Sequence, residues 1–127
     1  MAVIDTSAWV EYLLDTPLGR NMVGHFADRA QCVVPTIVQL ELMKWLSREM
    51  SEDVAERVIA YTQTCDLAPL DTRIALRAAD LCREHKLATA DAVIYATALE
   101  RNVQLVTCDA HFKGLDGVLY HQKGNLR

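Results

Sequence analysis

The chain has 127 residues, 51% of them apolar, and its 17 acids against 13 Lys and Arg give a net charge of −4. That is enough chain for one well-buried core and too little for two ordinary domains, and the acidic balance argues against a simple electrostatic binder of nucleic acid. No apolar run approaches the roughly 20 residues of a membrane span, and the start carries neither a basic segment nor a small-residue cleavage site, so a single cytoplasmic domain over 1–127 is expected. Cys32, Cys65, Cys82 and Cys108 match no zinc-ribbon or redox-motif spacing and read as reduced residues of the core.

In chain order, AVI at 2–4 is a short β-type run, after which Ala8, Trp9, Tyr12 and Leu13 recur at helical spacing. A second helix is predicted from about Leu18 to Ala30 with Met22, Val23 and Phe26 inward, then a strand CVV at 32–34. Pro35 suits the first turn of the next helix, where its missing N–H has no partner to lose. That helix runs from Thr36 to about Met50, and Ser51 caps a further one to about Tyr61. A short strand, LAPL, follows. Asp71 caps a helix carrying Ile74, Ala78, Leu81 and Cys82 and ending near EHKL, and Thr89 caps the helix ADAVIYATALERN. The clearest strand is VQLV at 103–106; VLY at 118–120 is a last edge strand, and 121–127 is a polar tail expected to fray. Short apolar strands separated by helices imply a parallel sheet covered on both faces, and sites in such folds gather at the carboxyl ends of the strands.

Acids occupy those positions. Asp5 follows the first strand and Asp109 follows VQLV, although a lone aspartate at a strand end commonly makes a turn or caps a helix. Glu41 has Ile37, Val38 and Trp45 as helical neighbours, and a carboxylate on an apolar face costs several kcal/mol unless a cation compensates it; Lys44, three residues on, is the simple alternative to a metal. Asp91 lies in the first turn of a helix that is otherwise uncharged from Thr89 to Leu99, where the helix dipole alone favours an acid.

Each acid has an ordinary explanation, but the four together converge best on a divalent metal site. Carboxylates suit Mg²⁺ or Mn²⁺, and neither a His pair nor a thiolate pair is spaced for zinc. Without metal, mutual repulsion would raise one or more of the carboxyl pKa values. Such a site activates water and stabilises the charge of a phosphodiester displacement, with one or two ions. Thr6, Ser7 and Thr107 are placed to orient the acids, or serve only as caps and turn hydroxyls. Competing chemistries lack their residues: DTS has Ser7 where a haloacid-dehalogenase-type phosphatase needs a second aspartate, the acids of a phosphoacceptor receiver domain are absent, and no phosphate-cradling glycine loop or nucleophile elbow occurs.

The segments VIDTSAWVEYL, TIVQLELMKWL and LATADAVIYATALERNVQLVTCDAHF, in this order and spacing, resemble the PIN-domain ribonucleases, and most of all the VapC toxins of toxin-antitoxin pairs. The resemblance implies a PIN-like three-layer α/β/α sandwich with a mainly parallel central sheet, Mg²⁺- or Mn²⁺-dependent endoribonuclease activity, a homodimer, and an antitoxin partner whose segment covers or enters the site. The family's metal acids fall on Asp5, Glu41, Asp91 and Asp109, and its hydroxyl positions on Ser7 and Thr107. One departure is His111, where many relatives carry a further aspartate; it puts a fifth acidic ligand in doubt and leaves hydrogen bonding to RNA or water, or a place on the rim, as its roles. Lys44, Arg48 and Lys113 are candidates for RNA phosphate contacts, with surface solvation as the alternative. Trp9, Tyr12 and Trp45 fit packing or a dimer interface better than base stacking. A catalytically silent binding module, a solitary RNA-processing nuclease and action on DNA remain the competing readings.

Overall fold

In the computed structural model, which describes residues 1–123, five strands form one sheet in the order β3-β2-β1-β4-β5, and every neighbouring pair is parallel. The strands are β1 (Ala2–Ile4), β2 (Cys32–Pro35), β3 (Asp66–Ala68), β4 (Gln104–Thr107) and β5 (Val118–Tyr120). The helices are α1 (Thr6–Leu13), α2 (Pro17–Asn21), α3 (Val23–Ala27), α4 (Thr36–Glu49), α5 (Glu52–Gln63), α6 (Thr72–His85) and α7 (Thr89–Arg101), with 3₁₀ turns at Arg29–Gln31 and Ala110–Phe112. The expected three-layer sandwich is present, and the sheet is wholly rather than mainly parallel.

β1 occupies the centre of the sheet, and Val3 and Ile4 are fully buried, as the unbroken apolar run predicts for a strand covered on both faces. α7 buries seven consecutive residues, Ala92 to Ala98, which explains its lack of a polar face. Trp9 of α1 meets the edge of Phe26 at 4.7 Å between ring centres, and Tyr12 stacks on the same ring at 4.0 Å. These contacts fasten the short helices to the body of the domain.

The segment after α1 departs from the single helix expected over 18–30. Two five-residue helices meet at Met22, which is fully buried and adopts φ −99°, ψ 1°. Gly19 forces this path: a Cβ there would stand 2.2 Å from the Glu11 carbonyl oxygen, so the two backbones touch only because the side chain is missing. Thr16 caps α2 by accepting the Gly19 N–H at 3.0 Å, with Pro17 in the first turn, a start signal one step earlier than the reading at Leu18.

The remaining differences are at element ends. Pro35 closes β2 with extended ψ of 140° and precedes α4 instead of entering its first turn. Ala88, not Thr89, is the residue before α7, and no side chain caps that helix. Ser51 and Asp71 do cap α5 and α6, accepting from Val54 N–H at 3.1 Å and Ile74 N–H at 2.9 Å. At the tail, the His121 N–H donates to the Thr107 carbonyl at 2.8 Å; the rest of the expected fraying falls on 124–127, outside the described residues.

Candidate functional site

The site begins where β1 and β4 end side by side. Ile4 pairs with Val106, and the Asp5 N–H continues the ladder to the Val106 carbonyl at 2.9 Å. This brings Asp5 next to Thr107. The main-chain carbonyl of Asp5 accepts from Ala8 and Trp9, so its backbone starts α1, but its carboxylate makes no capping bond. Instead Oδ2 accepts from Ser7 Oγ at 2.7 Å and Thr107 Oγ1 at 2.8 Å.

Those two hydroxyls are committed in both directions. While donating to Asp5, Ser7 Oγ accepts the Cys108 N–H and Thr107 Oγ1 accepts the Asp109 N–H, each at 2.9 Å. The ring of bonds ties the start of α1 to the chain leaving β4 and fixes the orientation of a carboxylate that is only 3% exposed. Beside it, Thr6 Oγ1 donates to Glu41 Oε1 on α4 at 2.6 Å. Adjacent hydroxyl residues of the DTS motif therefore orient acids from two different elements.

Asp91, in the first turn of α7, and Asp109 complete the group, with His111 between them. The His111 Nδ1 lies 3.2 Å from Asp109 Oδ1 and 3.6 Å from Asp91 Oδ2. Asp109 also accepts the His111 N–H at 2.9 Å, so the turn reading of this residue holds alongside its place in the cluster. Burial pushes the Asp5 carboxyl above its ordinary range against the pull of its two hydroxyls, and the charges of Asp109 and Glu41 add to the rise. Burial, then the charges of Asp109 and Asp5, push Asp91 up to about 6 despite the opposing effect of His111.

The family model of the PIN domain matches residues 2–118. The chain belongs to the PIN-domain family. Comparison with curated proteins finds no match. Among solved structures, it is similar to a toxin-antitoxin complex from Klebsiella pneumoniae at 24% identity and a TM-score of 0.83, covering 97% of this chain and 100% of that one. It is also similar to the sarcin-ricin-loop-cleaving toxin VapC20 of Mycobacterium tuberculosis (14% identity, TM-score 0.77, 93% of this chain and 97% of that one). A third is DNA-bound VapBC of Salmonella typhimurium (16%, 0.69, 95% and 96%). At these identities the likeness is one of fold.

In this PIN domain, no Lys or Arg among the described residues forms an ion pair with Asp5, Glu41, Asp91 or Asp109. Lys44, the cation offered by sequence as a partner for Glu41, is exposed and makes no such contact. Carboxylate oxygens with two raised pKa values, an imidazole between two of them and no Lys or Arg partner are a donor set that fits a hard divalent ion. Arg48 is exposed and pairs with Glu49 at 3.4 Å, and the Lys113 ammonium lies 5.9 Å from the centre of the Tyr120 ring. A cleft of about 530 Å³ opens beside Ser7 and Asp109, with Tyr120, Gln122 and Lys123 on its other wall. Nothing local in the sequence marks those three residues as part of a site; the pairing of β5 with β4 puts them there.

Proposed function

We propose that this PIN domain is a metal-dependent endoribonuclease and the toxin of a toxin-antitoxin pair, with Asp5, Glu41, Asp91 and Asp109 holding one or two Mg²⁺ or Mn²⁺ ions. The observation that carries the reading is Asp5: a carboxylate 3% exposed, oriented by neutral hydroxyls alone and surrounded by other acids. Such an arrangement is costly to the fold unless a cation joins it. When bound, a divalent ion supplies activation of water and stabilisation of the charge that builds on a phosphodiester under attack.

The protein's own residues then have distinct tasks. Ser7 and Thr107 hold Asp5 with its second oxygen spare, Thr6 does the same for Glu41, and the turn after Asp109 keeps that carboxylate beside Asp91. The cleft beside Ser7 and Asp109 gives an RNA strand access from the β5 side, where Lys123 and Lys113 are available to its phosphates. For the antitoxin, whose segment would cover or enter the site, an apolar groove of about 260 Å³ between α1 and α5, walled by Trp9, Leu13, Val54 and Val58 with Arg57 at its edge, offers a further seat for an amphipathic stretch. A homodimer, part of the same reading, would cover the exposed Leu40 and Met43 of α4.

The test is to map new RNA 5′ ends in cells expressing the wild type or Asp5→Asn. Discrete ends produced by the wild type alone support an acid-dependent endoribonuclease and identify its substrate. Identical maps from two folded, abundant proteins would refute the reading and favour a binding module.

A further inference from the structure

We propose that His111 binds the divalent ion of this site through Nδ1, as a nitrogen ligand alongside Asp91 and Asp109, and that it shifts the site's preference from Mg²⁺ toward Mn²⁺. The inference rests on the metal-site reading above and concerns which ion that site prefers. Its basis is geometric. One ligand atom from each of Asp91, Asp109 and His111 can be chosen so that all three lie within 4.8 Å of one another. Ligands of a single octahedral ion with bonds near 2.1 Å lie about 3 Å apart when adjacent and about 4.2 Å when opposite. The 3.2 and 3.6 Å separations of Nδ1 from the two carboxylates fall in that range.

The local fold keeps the imidazole there. Asp109 accepts the His111 N–H, and the next residue, Phe112, is fully buried, so the 3₁₀ turn is anchored on both sides of the histidine. With 74% of its side chain exposed, His111 is directed by the two carboxylates that Nδ1 faces and not by packing. Two chemical effects of this residue act the same way. A neutral imidazole brings no negative charge, so it adds less attraction for strongly hydrated Mg²⁺ than a carboxylate in its place would. Its nitrogen is a better donor to Mn²⁺ and later transition ions than to Mg²⁺.

The experiment uses the full chain, calorimetric titration with Mn²⁺ and with Mg²⁺, and pulsed EPR of the Mn²⁺-loaded protein, for wild type, His111→Ala, His111→Asp and Asp5→Asn. The expected result is a nitrogen hyperfine coupling in the wild type that vanishes in His111→Ala. The ratio of Mn²⁺ to Mg²⁺ affinity should fall on the order of tenfold in His111→Ala, and further in His111→Asp through tighter Mg²⁺ binding. If Mn²⁺ binds, and Asp5→Asn weakens it, yet the coupling is absent and the ratio is the same in His111→Ala, the histidine is not a ligand and the inference is overturned while the metal site stands. If neither ion binds the wild type, both this inference and the metal reading fall.

Discussion

Asp5 and Asp109 leave neighbouring parallel strands at the same edge of the sheet, yet the fold uses them differently. Asp109 accepts a main-chain N–H, that of His111, and its side chain is 29% exposed. Asp5 is almost fully buried, and its carboxylate accepts only side-chain hydroxyls and makes no capping bond although it stands directly before α1. The first gives something back to local structure. The second gives no bond to the main chain through its side chain, and the proposed metal site is the reading that accounts for its position.

The largest effect that sharpens this contrast is on activity. Asp5→Asn and Asp109→Asn are both expected to lower cleavage of a mapped RNA substrate by at least about a hundredfold. Activity retained by Asp5→Asn would remove the functional account of its burial. Second, Mg²⁺ or Mn²⁺ at a hundred times its dissociation constant should stabilise the wild type by about 2.7 kcal/mol, and chelation should reverse this. Thermal melts with and without chelator test it, and Asp5→Asn should lose most of the response.

Third, the raised carboxyls set a pH dependence in the chelated protein. Asp91 titrates near 6 when folded against an ordinary 3.8, so the folded state holds the extra proton between these values. The corresponding stability is fully present below about pH 4 and lost as pH rises through 6, which makes Asp91 ionisation destabilising at neutral pH. After allowance for solvent screening the effect is about 1 kcal/mol, so Asp91→Asn should raise the melting temperature at pH 7.5 by about 3–5 °C and leave it unchanged near pH 4. A lower melting temperature for Asp91→Asn at pH 7.5 would contradict this. Fourth, Asp109→Ala should cost up to about 1 kcal/mol through loss of the turn bond, whereas Asp109→Asn, able to accept the same N–H, should cost little. Equal denaturant midpoints for Ala and Asn would show that the turn bond contributes nothing.

Much of this was legible in the sequence because the relevant signals are local. AVI, CVV, VQLV and VLY are dense apolar runs that can be satisfied only inside a sheet, and Ser51 and Asp71 have the side chains to start the helices they cap. The 17–31 segment was not legible, because its break depends on Gly19 touching the α1 backbone, a contact that no periodicity encodes. Pro35 closes β2 where sequence alone favours the first turn of α4, because its fixed φ suits both places.

For the site, the sequence by itself determined which residues were chemically unusual: acids at the ends of apolar strands, on an apolar helix face, and at the mouth of an uncharged helix. Tertiary structure decided what those acids do to one another. Only the pairing of β1 with β4 makes Ser7 and Thr107 share Asp5, only the approach of α1 to α4 gives Glu41 to Thr6 rather than Lys44, and only the turn after β4 turns His111 toward Asp91. Residue type and spacing fix local preference and charge. Distances between groups far apart in the chain are set when the sheet and helices pack, and the electrostatics of a buried site depend on those distances and on the water that packing excludes.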